Sequence, residues 1–395
     1  MRTVGTVVRG IRTPIIKEGD NLPKVVVDSL LRASEAEHFN FNDRDVVAVT
    51  EAVVGISYGN YATIDEVAKD IKSKFNTDRI GVVYPILSRN RFALILKAIA
   101  RAMNKITILL SYPSDEQGNG ILYEEDLEKY NIDKFNHVIS ETEYKEKFGH
   151  FVHMFTGVNM VDFYTEVCAK ENCEVEFVLS NKPEVILDYE ENILVCDVHT
   201  RFDTVKRIKA HGGNKILTLC DILNESVDGS GFNSEFGLLG SNRSTEERLK
   251  LFPQNEEFVY EVQRLLKEKT GKNIEVMIYG DGAFKDPVMG IWELADPVVS
   301  PNYTKGLEGS PNEIKLKYLS DNKFKDLSGN LLVEAMKKEI AEKNSNLKGN
   351  MSSQGTTPRR YVDLIGSLCD LTSGSGDKGT PVVLIQGYFD NYADE

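Results

Sequence analysis

The chain has 395 residues, 41% of them hydrophobic and 27% charged, a balance that describes a globular protein able to bury one large core or two to three smaller ones. Its formal net charge of -14 argues against a general nucleic-acid or membrane-surface binder, which needs clustered Lys and Arg. The five cysteines are odd in number and form no Cys-x-x-Cys pair, so a reduced cytoplasmic chain without a disulfide frame or structural zinc is expected.

The first ten residues hold no long apolar run, and no signal peptide is expected. No later stretch approaches the roughly 20 apolar residues that span a bilayer. Thr3 to Val8 reads as a strand, followed by a loop from Arg12 to Leu22 punctuated by Pro14 and Gly19. Lys24 to Ala36 has helical periodicity, with Val26, Val27, Leu30 and Leu31 on one side. Asp45 to Val54 reads as a second buried strand, running into Ser57 to Asn60. A helix over Asp65–Phe75 is followed by a strand over Ile80–Pro85, a helix over Ala93–Met103 and a strand over Ile106–Leu110. Such alternation predicts an α/β arrangement with a mostly parallel or mixed sheet.

Further on, Ile193–Asp197 and Ile216–Cys220 read as buried strands, and Val227–Gly237 as a glycine-rich loop. An amphipathic helix over Phe258–Thr270 stops at Gly271 and feeds a strand that begins at Ile274. Helices are predicted over Ser328–Asn344 and Pro358–Asp370, separated by a polar stretch at Lys348–Thr357, and a strand over Pro381–Ile385. No internal repeat or low-complexity tail is present.

The candidate chemistry centres on the end of the strand from Ile274. There the chain breaks into Gly280, Asp281 and Gly282. A carboxylate at a buried strand end, between glycines that let a ligand approach, is placed to hold a divalent metal against a phosphate; an Asp-Gly turn is the plain alternative. The loop Thr372, Ser373, Gly374, Ser375, Gly376, Asp377 and Lys378 offers hydroxyls and backbone amides for a phosphate. Arg89 and Arg91 follow a strand and are suited to an anion or to a structural ion pair. His150 and His153 would supply a metal ligand only if helical. Asp197 repeats the pattern of a strand ending in a carboxylate. No Walker A, Gly-x-Gly-x-x-Gly after a strand, His-Glu-x-x-His or Gly-x-Ser-x-Gly motif occurs.

Taken together, these segments resemble the coenzyme F420-0:L-glutamate ligase (γ-glutamyl ligase) family. Asp363 to Gly387 is similar to its closing helix, nucleotide loop and Pro-Val strand ending in glycine. Gly237–Asn242, Leu251–Pro253, a helix to Gly271 and the strand to Asp281 follow its core in order and spacing. Thr13, Pro14, Ile15 and Ile16, with Gly19 and Asp20, look like its first nucleotide-contacting loop, and Val46 to Gly59 like the next strand and turn. The likeness covers about half the chain, in pieces. Ile56 stands where the family has Lys, and Gly282 where a hydroxyl residue follows the strand-end Asp. The family's Gly-Ile-Asp-x-Ser-Asn matches either Gly237–Asn242, with Leu239 at the metal-binding position, or Gly157–Asp162, with Asn159 there and Asp162 at the Asn position.

The resemblance implies an α/β (α+β) ligase fold with an unusual mixed sheet and an enlarged middle segment. Residues 1–150 would form an N-terminal α/β part with the first nucleotide loops, 151–235 the enlarged segment, and 236–395 the C-terminal part with the metal Asp and nucleotide loop. It implies GTP-dependent joining of L-glutamate to a small-molecule carboxylate acceptor, coenzyme F420-0 or a related compound, in a cytoplasmic homodimer. A folate-like pterin acceptor and a non-catalytic nucleotide- or metal-binding homologue are the competing expectations. Asp281, with Asn159 or Asp162, would hold Mg2+ or Mn2+, and K+ is a further candidate ion. Thr13 to Ile16, Asn242 and Thr372 to Lys378 would hold the nucleotide; Arg89 and Arg91 would meet substrate carboxylates.

Overall fold

The computed structural model describes residues 3–89, 91–153, 156–280, 284–285, 292–293, 300–354, 359–372 and 377–394, the two short strands 284–285 and 292–293 by backbone alone. Two units separate by their internal contacts. Unit 1 is Met1–Ser57, Asn255–Asp281 and Val299–Glu395; unit 2 is Tyr58–Gln254 with Gly282–Val298. The expected middle segment, 151–235, falls inside unit 2, whose boundary lies far earlier in the chain.

In chain order, β1 (Val7–Ile11) leads to α1 (Leu22–Glu37), which opens where the Asn21 side chain accepts from Lys24 N. β2 (Val46–Thr50) runs straight into α2 (Glu51–Ser57). β3 (Tyr61–Thr63) precedes α3 (Ile64–Phe75), started by a reciprocal capping box between Thr63 and Glu66. Then come β4 (Arg79–Val83), α4 (Phe92–Ala102), β5 (Lys105–Leu110), α5 (Glu124–Lys129), β6 (Ile139–Ser140), α6 (Glu141–Lys147), α7 (Met160–Lys170) and β7 (Glu174–Leu179). β8 (Asn192–Val195), α8 (Arg201–Ala210), β9 (Lys215–Thr218), β10 (Asn242–Thr245) and β11 (Arg248–Lys250) follow. α9 (Glu256–Thr270) is capped by Asn255 and stopped by Gly271 at φ 71° before β12 (Glu275–Tyr279). β13 (Phe284–Lys285) pairs antiparallel with β14 (Trp292–Glu293). α10 (Leu316–Asp321), α11 (Gly329–Ala341), α12 (Tyr361–Thr372) and β15 (Val382–Gln386) close the chain. Among the described residues no helix is long and apolar enough to cross a membrane.

Unit 1 is built on a sheet of order β1-β15-β2-β12, with β15 antiparallel to both neighbours and β2 parallel to β12. Every residue of β2 and β15 is buried, because both faces are covered. Val47, Val49, Val276, Ile278 and Leu384 pack on α1 and α9. Ala48, Met277, Val383 and Ile385 pack on α12 through Ile365 and Cys369. This burial on both faces is why these strands read as unbroken apolar runs. The expected strand Asp45–Val54 stops at Thr50, and its second half is α2. Likewise β1 begins at Val7, because its antiparallel register with β15, Val7 to Gln386 through Ile11 to Val382, sets the paired residues.

Unit 2 carries a sheet of order β6-β7-β5-β4-β8-β9, parallel except for the edge strand β6. Counting only the parallel strands along the chain, that is the order 3-2-1-4-5 of a doubly wound open sheet. Residues of α3, α4 and α7 form one buried cluster with Ile80, Val82, Ile106 and Ile108. Ile208 of α8 and Ile186 cover the other face through Val83, Leu109 and Val195. The chain winds outward from β4 on one side as far as β7, then returns to β8 on the other. The carboxyl ends of β4 and β8 therefore flank the point where the winding reverses.

Candidate functional site

One edge of the unit 1 sheet collects most of the candidate loops. β1 ends at Ile11, paired with Val382 at the start of β15; Val382 pairs in turn with Val49 near the end of β2. Thr50 stands beside Tyr279, the last residue of β12. Antiparallel and parallel pairings thus bring two strand exits, one strand entry and the β1 exit to the same side. Beyond the strands, Thr13 N donates to Gly379 O at 3.3 Å and Thr50 N to Pro381 O at 2.9 Å. The first expected nucleotide loop is hydrogen-bonded to Gly379, the residue that follows the second.

Within the first loop, Ile16 packs on the α1 core, Ile15 is 89% exposed, and Pro14 is exposed. Asp20 folds back to accept from Lys17 N at 2.7 Å, and Gly19 N donates to Ser57 O at 3.0 Å. Thr372 ends α12 and its hydroxyl donates to Leu368 O at 2.6 Å. Asp377 and Lys378 are exposed on a turn. Ser373, Gly374, Ser375 and Gly376 lie outside the described residues, as does Asp281; the chain before it is described through Gly280.

Glu51 escapes a reading of the sequence as strand. It opens α2 directly after Thr50, at the same sheet edge, and is only 4% exposed. A buried carboxylate is the hard oxygen ligand that a divalent cation takes. Its signal in the sequence is a Thr-Glu step at the end of an apolar run. Among the described residues no cluster of three or more His, Cys, Asp or Glu is set to hold a metal.

In unit 2, Arg89 and Arg91 lie just beyond β4. That turn is held firmly: Tyr164 OH donates to Ile86 O at 2.9 Å and accepts from Ser88 N at 3.0 Å. Buried Asp115 accepts from Leu87 N at 2.9 Å and from the Gln117 and Asn119 amides; burial raises its pKa against these bonds. Arg89 is exposed, and Arg91 N donates to Ser88 Oγ at 3.1 Å. Asn242 opens β10 opposite Lys250.

Asn159 is engaged elsewhere than expected. Its Oδ1 caps α7 by accepting from Val161 N at 2.9 Å and Asp162 N at 3.2 Å, and its Nδ2 donates to Phe151 O at 3.0 Å and Tyr144 OH at 3.2 Å. Asp162 is exposed in the first turn of that helix. Leu239, the residue at the metal position in the other matching of this motif, is a buried apolar core residue. His150 and His153 are not helical: His150 pairs with Asp126 at 2.8 Å, and burial, then the charge of Arg89, holds His153 below its ordinary pKa.

Asp197, after β8, accepts at Oδ2 from the hydroxyls of Thr200 at 2.6 Å and Thr204 at 2.7 Å, while Oδ1 is buried without a partner. The α8 entrance beside it is filled by Glu116, which accepts from Val198 N, His199 N and Thr200 N. Burial, against these hydroxyl bonds, pushes Asp197 up to about 6 from 3.8. The folded chain therefore keeps this proton where the unfolded chain has lost it. That contribution is full below pH 3.8 and is lost as pH rises through about 6. Asp197→Asn cannot ionise and should exceed the parent in stability at pH 7.5 by on the order of 2 kcal/mol, converging with it below about pH 4. Urea unfolding across pH 3.5–8 checks it; a variant less stable at neutral pH would reverse the sign.

The family model described as F420-0:Gamma-glutamyl ligase matches residues 10–387. No curated protein matches the chain.

Proposed function

The chain belongs to the F420-0:gamma-glutamyl ligase family, and from that premise we propose that it is a GTP-dependent ligase. It joins the amino group of L-glutamate to a carboxylate of coenzyme F420-0 or a related acceptor. The observation that carries this reading is the shared sheet edge of unit 1, where Thr13 bonds to Gly379 and β2 and β12 end side by side.

A carboxylate is a poor electrophile, so the acceptor is first activated. Its oxygen bonds to the γ-phosphorus of GTP, the β–γ bridging bond breaks, and GDP leaves. The glutamate amine then attacks the acyl carbon of this acyl phosphate, inorganic phosphate departs, and the amine loses a proton. Both steps build charge on oxygens. The loops Thr13 to Ile16 and Thr372 to Lys378 hold the nucleotide through backbone amides, with Lys378 adding charge. Glu51 and Asp281 hold a divalent cation, Mg2+ or Mn2+, whose charge when bound offsets that of the phosphates. Arg89 and Arg91 orient substrate carboxylates. The five free cysteines, four of them buried, suit the reducing cytoplasm.

Phosphate release from GTP should require L-glutamate, an acceptor and Mg2+ or Mn2+ together. Assays with F420-0 and with a glutamate-terminated pterin decide the acceptor class. Nucleotide-induced thermal stabilisation without acceptor-dependent release would instead mark a binding homologue, the reading that the Leu239, Ile56 and Gly282 departures favour.

A further inference from the structure

The segment 113–120, which follows β5, ties together the two strand exits at the point where the winding of unit 2 reverses. It is folded on itself: Ser114 pairs with Gly120, and Asp115 N donates to Asn119 O at 2.9 Å. Its two acidic side chains reach different exits. The Asp115 carboxylate accepts from Leu87 N beyond β4. The Glu116 carboxylate accepts from the amides of Val198, His199 and Thr200 beyond β8. The segment is therefore a strap from one exit to the other, and Glu116 fastens it to the start of α8.

This fastening shares an atom with buried Asp197. Thr200 Oγ1 lies 2.6 Å from Asp197 Oδ2 and 3.2 Å from Glu116 Oε2. A hydroxyl has one hydrogen to donate, so it cannot serve two ionised carboxylates at once. The count closes when Asp197 is protonated. Its own hydrogen then goes to Thr200 Oγ1, the Thr200 hydrogen goes to Glu116, and Thr204 Oγ1 donates to Asp197 Oδ2 at 2.7 Å. Asp197 is 1% exposed and its Oδ1 has no partner, which costs a neutral acid far less than a carboxylate. On ionisation the Thr200 hydrogen turns to Asp197, Glu116 loses that bond, and two negative charges face each other across one hydroxyl. We propose that 113–120 is a pH-sensitive strap, fastened to α8 by Glu116 while Asp197 is protonated and loosened when Asp197 ionises.

Burial, with the charge of Glu116 adding to it, places the Asp197 step at about 6. The protonated form is the fastened one, so the strap holds below that pH and loosens above it. Other groups around Asp197 do not give this step. Burial keeps the Cys196 thiol and the Tyr84 phenol protonated. Arg201 donates to Val198 O, Arg207 is paired with Glu184, and Asp221 beyond β9 accepts from Thr218 N. Asp115, whose pKa burial also raises, would release the Leu87 end on acidification, the opposite sense. Histidine is the side chain that ordinarily changes charge near neutrality, so exposed His199, beside the strap, is the control. None of this depends on the ligase reading.

The test is hydrogen exchange of the full chain at pH 5 and pH 7.5, corrected for the intrinsic pH dependence of exchange. The amides of Val198, His199 and Thr200 should lose about tenfold in protection at pH 7.5, while those of β8 stay unchanged. Asp197→Asn, which cannot ionise, should remove the step. His199→Gln should keep it, and Thr200→Val, which removes the shared hydroxyl, should shrink it. If Asp197→Asn does not fold, Thr200→Val decides. Equal protection at both pH values in the parent overturns the proposal. So does a step that persists in Asp197→Asn, vanishes in His199→Gln or is unchanged in Thr200→Val, since each would place the sensor elsewhere.

Discussion

Asp281→Asn should abolish GTP-dependent ligation and leave the melting temperature of the free protein close to that of the parent. The substitution keeps size and hydrogen-bonding capacity and removes one negative charge two positions in sequence after Tyr279, where β12 ends. A divalent cation between phosphates is held by such charges, and losing one weakens both its affinity and its placement. Because phosphoryl transfer and amide formation each concentrate charge on oxygen, the loss should reach at least about 10²-fold in turnover. A role in cation binding also predicts partial recovery at raised Mn2+, which a purely structural carboxylate would not give. Glu51→Gln should shift the Mn2+ dependence in the same direction. Full activity in Asp281→Asn, measured as acceptor-dependent phosphate release, would remove the central carboxylate from the mechanism.

The element order was legible wherever an apolar run had clear punctuation. The helix before Gly271 and the strand after it are an example: cap, periodicity and burial agree, and α9 and β12 occupy almost the predicted residues. Fully buried runs were less decisive. Val46 to Val54 is apolar at nearly every position, and neither a period of 2 nor one of 3.6 stands out. The break at Thr50 follows from pairing with β12 and β15, information that lies more than 200 residues away. For the same reason Glu51 looked like an interior strand residue and not a helix start at a sheet edge. α8, at Arg201–Ala210, went unseen because its charged residues leave only Thr204 and Ile208 buried. Asn159 shows the opposite failure: an Asn before a helix caps it in the ordinary way, and that local role competed with a motif match spread over the same residues. The other match, at Gly237–Asn242, misled in the same way, since Leu239 looked like a lost ligand when its place in the fold is apolar packing.

The turn at Gly237 yields the second large expected effect. Gly237→Ala should destabilise unit 2 by about 4 kcal/mol, near the upper end for a single substitution. Gly237 has φ 53°, where an L-residue costs ~1 kcal/mol. A Cβ there would also fall 2.6 Å from the carbonyl oxygens of Leu219 and Cys220 and closer still to that of Ile222. These are backbone atoms of a tight turn whose Leu219 and Ile222 side chains are buried. The turn cannot yield easily, because Gly237 N donates to Asn233 O at 2.9 Å and Leu238 N to Leu219 O at 3.0 Å. Gly229 provides the internal control. It lies in the same glycine-rich stretch at φ 89°, but a Cβ there meets nothing within 4 Å. Gly229→Ala should therefore show the backbone cost alone, ~1 kcal/mol. Urea unfolding of the two variants separates strain from collision. If they unfold at the same midpoint, Gly237 is not wedged against the 219–222 backbone, and the buried packing of Leu238 and Leu239 must be held some other way.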